Sequence, residues 1–259
     1  KLDQLDGDRK GIIKTIAEKG EIHGNVMDSF PAKALTDPEI FVSLLFYYGM
    51  LTIKGTFGDQ LILGIPNNNV RKQYYGYLLA QYQEEKYVNL AELKTKFTYM
   101  AFEGKWEDAL GHMAKAYADV SSVRDGIEAE RNLQGFFMAY LSLNNYYITA
   151  PELEMSHGYC DFFLLPNLTH YDSKHSYIIE LKVLSKKEWN EKVTDPELGE
   201  VTKAEKQWND AVKQIKQYAA APRVEALRQG TQLHKIIMQF EGWELKNMKE
   251  ITEESNVSY

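Results

Sequence analysis

Cysteine is almost missing from this chain. Cys160 is the single one in 259 residues, which excludes an internal disulfide and any zinc cluster built on cysteine. A lone cysteine in an apolar stretch reads as a small buried hydrophobe, and a reducing cytoplasm suits such a composition. Long hydrophobic runs are missing too. The most apolar window, Ile40 to Ile53, is too short and too interrupted to span a bilayer. No low-complexity tract, internal repeat, signal peptide or P-loop is present. A basic excess is also lacking. The net charge of −7 argues against a general nucleic-acid coat protein, but not against an enzyme of which only the binding face is basic. The chain starts at Lys1 rather than Met, and the expectation is a fragment of a longer protein.

Apolar residues make up 44% of the chain and aromatic residues 12%, enough for real cores in one large domain or two smaller ones. Residues 1–87 read as a small helical unit with a hairpin. Asp37-Pro38-Glu39 marks a helix start, with Asp37 as cap, and Ile40, Leu44, Leu45 and Tyr48 continue it as a stripe that Gly49 ends. Leu51–Ile53 and Leu61–Leu63 flank a turn-rich stretch, Gly55–Asp59, and a further helix starts near Pro66. The unit is winged-helix-like or a connector, and it lacks the Lys/Arg density of a DNA reader. Residues 88–120, with acids and bases interspersed, read as an exposed helical linker. Residues 121–259 follow the order helix, three strands, helix, strand. The helices fall at about 124–143 and 201–220, and the strands near Tyr146–Thr149, Tyr159–Leu165, Tyr177–Leu184 and Leu233–Phe240. That order describes an α/β sandwich on a mixed sheet.

The second and third of these strands carry charge in apolar surroundings. Asp161 sits in Tyr159-Cys160-Asp161-Phe162-Phe163, and Glu180 and Lys182 in Tyr177-Ile178-Ile179-Glu180-Leu181-Lys182-Val183. A carboxylate in an apolar strand is costly without a partner or a cation. Strand alternation puts Glu180 and Lys182 on one face, and a hairpin brings Asp161 alongside Glu180. Acid-x-lysine is a weak signal alone, since seven such triplets occur. Glu180 is the one inside an aliphatic strand with an acid on the strand before it. Glu244-Leu245-Lys246 is the rival. Glu130 falls on or near the inward side of the first helix, and Gln134 shares that direction one turn later. Gln214 and Tyr218 project together from the second helix. Lys203, Lys206, Lys213 and Lys216, with Arg223 and Arg228 beyond, give a basic stretch consistent with a phosphate-facing side.

In this ordered combination the chain resembles the PD-(D/E)XK nuclease superfamily. The resemblance implies a restriction-endonuclease-like α-β-β-β-α-β core. It implies Asp161, Glu180, Lys182 and Glu130 as catalytic residues. Asp161, Glu180 and the Leu181 carbonyl become ligands for Mg²⁺ or Mn²⁺, and Gln214 and Tyr218 substrate contacts. Tyr159 stands where the family frequently has arginine. The closest likeness is to bacterial proteins in which such a domain follows an AAA-ATPase-like domain, whose linker Tyr48–Ile53 and Ile65-Pro66-Asn67 are similar to. The expectation is therefore a metal-dependent nuclease acting on DNA, with an ATPase domain in the same full-length chain. A catalytically inactive module for binding nucleic acid or protein is the alternative.

Overall fold

The computed structural model describes residues 7–29, 38–85, 89–121, 129–155, 158–197 and 199–252. The chain divides into two compact units, Lys1–Glu84 and Glu85–Tyr259.

The first unit holds α1 (Gly7–Lys19), β1 (Glu21–Gly24), α2 (Pro38–Tyr47), β2 (Thr52–Phe57), β3 (Gln60–Gly64) and α3 (Asn68–Glu85). Its strands form an antiparallel sheet in the order β1-β3-β2. The expected hairpin is β2–β3, turning at Gly58, whose φ of 64° is in the left-handed region that glycine enters at no cost. Ile13, Ile16, Leu45, Leu63 and Tyr74 form its core. Asp37, the expected helix cap, lies outside the described residues. α1 and β1 escape a reading of the sequence because they show no strong amphipathic pattern.

The second unit begins with α4 (Leu90–Glu103) and α5 (Trp106–Ser121). In place of the expected exposed linker, Leu93, Phe97, Met100, Trp106, Leu110, Met113 and Tyr117 are buried. Charge on the outer face of each helix hides an apolar inner stripe that needs a sheet to cover it. Then follow α6 (Ala129–Leu141), β4 (Tyr147–Met155), β5 (Gly158–Pro166), β6 (His175–Leu184), α7 (Lys186–Trp189), β7 (Lys192–Asp195), β8 (Gly199–Thr202), α8 (Lys203–Ala219), α9 (Pro222–Arg228), β9 (Gln232–Glu241) and β10 (Glu244–Glu250). The main sheet is five-stranded, in the order β10-β9-β6-β5-β4. β6 and β9 run parallel, and the other neighbours antiparallel. This is the mixed α/β architecture expected of a restriction-endonuclease-like fold. The hairpin β7–β8, α7, α9 and β10 are additions to it.

Alternation along β6 sorts the two layers. Tyr177 sends its hydroxyl to the Met100 carbonyl of α4, at 2.6 Å. Its neighbour Ile178 packs on the other face with Trp208, Val212, Ile215 and Tyr218 of α8 and with Val224 of α9. Helices thus cover both faces of the sheet. α8 starts at a capping box: Thr202 Oγ1 accepts from the Glu205 amide at 3.1 Å, and Glu205 Oε2 accepts from the Thr202 amide at 2.7 Å. Its buried Ala204, Trp208, Ala211, Val212, Ile215 and Tyr218 form one stripe, and that stripe fixes its roll on the sheet.

Candidate active site

β5 and β6 pair at Leu164–Tyr177, Phe163–Ile178 and Phe162–Ile179. There the ladder stops, while β6 stays paired with β9 as far as Leu184. A strand leaving a ladder exposes backbone donors that need new acceptors. Asp161, the next residue of β5, fills the gap: its Oδ2 accepts the Leu181 amide at 2.7 Å. Its Oδ1 accepts from Gln134 Nε2 of α6 at 2.5 Å. The carboxylate is therefore clamped between β6 and α6.

Glu180 lies on the face of β6 that carries Ile178, beside this fork. Its Oε1 accepts from Lys182 Nζ at 2.7 Å. Glu180 is 2% exposed and Lys182 20%, so the acid is interior and the ammonium reaches toward solvent. Two carboxylates and one ammonium leave one net negative charge in a place poorly hydrated. Asp161 feels this directly. Burial, and then the nearby charge of Glu180, push its pKa up to about 7, while the Leu181 amide, Lys182 and Gln134 pull it back.

From the other layer, Gln214 Nε2 donates to the Tyr218 hydroxyl. Tyr218 is buried among Cys160, Phe163 and Ile215. Burial raises its pKa, and it lies close enough to Glu180 and Lys182 to feel both charges. Glu180, Lys182 and Tyr218 thus lie near one another on the α8-covered face, with Gln214 bonded to Tyr218 and Asp161 beside Glu180 at the fork. Glu130 lies in α6 and Tyr159 in β5, but their side chains are outside the described residues, as is His157.

Residues 128–250 match a model of the PD-(D/E)XK nuclease superfamily. The matched stretch is just under half of the chain and takes in every element from α6 to β10. No curated protein and no solved structure matches.

The donor set suits a hard divalent cation: a buried and a part-buried carboxylate on neighbouring strands, with excess negative charge to offset. Among the described residues no group of three His, Cys, Asp or Glu side chains converges.

The basic stretch of α8 is covered by acid: Lys203, Lys206 and Lys213 each touch a carboxylate of the segment before the helix. Conversely, His175 and His234, which show no ligand spacing in sequence, meet at 2.9 Å, and His234 reaches Glu250 at 2.8 Å. Parallel pairing of β6 with β9 brings them together, a long-range register no local spacing reveals. In sequence Gln134 is only a neighbour of Glu130; its hold on Asp161 depends on the helix-to-strand distance.

Proposed function

We propose that this chain hydrolyses phosphodiester bonds in DNA with the help of a divalent cation, Mg²⁺ or Mn²⁺. The observation that carries the reading is the convergence of Asp161, Glu180 and Lys182 at the β5–β6 fork inside the stretch that matches a nuclease family. Asp161, Glu180 and the Leu181 carbonyl hold the cation. When bound, it neutralises phosphate charge and acidifies a water. Lys182 Nζ leaves Glu180 for the attacking water and the negative charge that builds on a non-bridging phosphate oxygen. The water gives up a proton to solvent as its oxygen bonds to phosphorus, the opposite P–O ester bond breaks, and the departing oxygen takes up a proton from solvent. Glu130 holds a second cation or fixes a water bound to the first. Gln214 and Tyr218 brace α8 against β6 and position the substrate backbone.

In the same reading the N-terminal unit, near residues 1–87, is a winged-helix-like module or a connector to an ATPase domain of the full-length chain. The protein works in the cytoplasm. Among the described residues no helix is long and apolar enough to cross a membrane.

The test is incubation of supercoiled and linear DNA with the purified protein and Mg²⁺ or Mn²⁺. Cleavage that stops with chelator, and in Asp161→Asn at unchanged folding, supports the reading. No cleavage with either cation contradicts it. Tyr159, where arginine is frequent, favours one alternative, an inactive nuclease-fold module. Its mark is salt-sensitive DNA binding without a cut.

A further inference from the structure

We infer that the segment 185–202 is an acidic strap laid on the lysine row of α8, and that the phosphates of a nucleic acid displace it. The inference rests on the nucleic-acid reading above and adds where the backbone runs.

The strap connects β6 to α8 and consists of α7 and the β7–β8 hairpin. It carries five acids against three lysines. Glu188 meets Lys203 at 2.7 Å and Glu191 meets it at 3.5 Å. Asp195 meets Lys206 at 2.8 Å, and Glu197, at the hairpin turn, meets Lys213 at 2.5 Å. The acids thus follow the helix in order. The lysine side chains remain 36% to 46% exposed, so the row is covered rather than buried.

What holds the hairpin down is also informative. Neither strand buries an apolar side chain: Val193 and Val201 are only half covered, and the one buried position is Asp195. A hairpin of this size without a hydrophobic face has little stability of its own. Charge fastens it, and the pairs of Glu188, Glu191 and Glu197, whose carboxylates are exposed, are weak and screened by salt, which leaves Asp195 with Lys206 as the firmest hold. Exchanging a strap carboxylate for a phosphate oxygen leaves each lysine with the same compensation, and the strap acids, Asp195 included, go to water as the hairpin lifts.

The row has the dimensions of a backbone track. Lys203 to Lys213 spans roughly 15 Å of helix. One DNA strand presents a charge about every 3.4 Å along its axis, so the row faces about four phosphates. It ends level with Gln214 along the axis and about 100° around the helix from it, so a strand lying on it passes beside the helix that borders the Asp161–Glu180 fork. Such a strap also explains how a chain with net charge −7 engages a polyanion: it stays acidic until the substrate itself uncovers the cations.

The experiment is fluorescence anisotropy of a short labelled DNA duplex, and of the same single strand, in chelator across a salt series. The variant Glu188→Gln/Glu191→Gln/Glu197→Gln removes strap charge but keeps the α7 capping box and Asp195. It binds about ten-fold tighter than the wild type. Lys203→Gln/Lys213→Gln binds more weakly, and the slope of log Kd against log salt falls by roughly two. Melting curves check that both variants fold. An unchanged affinity in the strap variant, or an unchanged slope in the lysine variant, overturns the inference, as does indifference of wild type and strap variant alike to DNA. If both variants behave as stated and no cation supports cleavage, the hydrolysis reading fails while the strap stands.

Discussion

The tripeptide Glu-Leu-Lys occurs three times in this protein, and its two copies in strands, at 180–182 and at 244–246, have opposite settings. Each lysine reaches its own glutamate, at 2.7 Å in the first and 2.9 Å in the second. Glu244 lies on the edge strand β10, is 47% exposed, and shares Lys246 with Glu241 at 3.0 Å. Its lysine hydrogen bond lowers the Glu244 pKa, as expected of a solvated pair. Glu180 is 2% exposed on a central strand, with the Asp161 carboxylate beside it. Water carries the charge of the edge pair, whereas the central trio must carry its own. The difference teaches that the triplet is no signal by itself. Position in the sheet, and an acid on the neighbouring strand, set a candidate site apart from a surface ion pair.

The largest contrast lies in catalysis. Lys182→Ala lowers the rate of DNA cleavage by about a thousand-fold or more, of order 4 kcal/mol in the barrier, whereas Lys246→Ala leaves it unchanged. Single-turnover rates at saturating protein measure both. Equal rates in the two variants would erase the distinction drawn here.

A smaller effect concerns the clamp on Asp161. Gln134→Leu removes the donor at Oδ1 and weakens Mn²⁺ binding by roughly ten-fold, the usual size for loss of a group that orients a ligand. Calorimetry at fixed pH reads this, and an unchanged Kd contradicts the role given to Gln134.

The smallest expected effect is on stability. Asp161 has its pKa raised from 3.8 to about 7 in the native state, so between those values the folded protein binds more protons than the unfolded chain. By linkage, the contribution of Asp161 to the stability of the cation-free protein falls as pH rises through that window, with a slope of at most about 1.4 kcal/mol for each pH unit. Asp161→Asn abolishes the dependence and melts a few degrees higher than wild type at pH 8. Glu244→Gln changes neither. A wild-type melting temperature that climbs between about pH 4 and pH 7 in chelator would refute this assignment.

Much of the fold was legible because it rests on local pattern. α8 announces itself by its apolar stripe and by Thr202 with Glu205, and β5 and β6 by aliphatic runs interrupted by acid. Asp161, Glu180 and Lys182 were legible as candidates because charge in an apolar strand is costly. What stayed hidden depends on pairing across the sheet. α4 and α5 look solvated until a sheet stands beneath them. The α8 lysines look free until the strap folds onto them, because the pairing of Glu197 with Lys213 spans a hairpin that sequence alone leaves unplaced. The helix and strand bearing Gln134 and Asp161 meet only in three dimensions.

One titration bears on the two buried carboxylates most directly: Mn²⁺ added to wild type, Asp161→Asn and Glu180→Gln, followed by calorimetry without nucleic acid. The predicted result is saturable binding to the wild type and its loss in both variants, each still folded. Binding that survives both substitutions, or no binding to the wild type, would contradict a cation site at the β5–β6 fork.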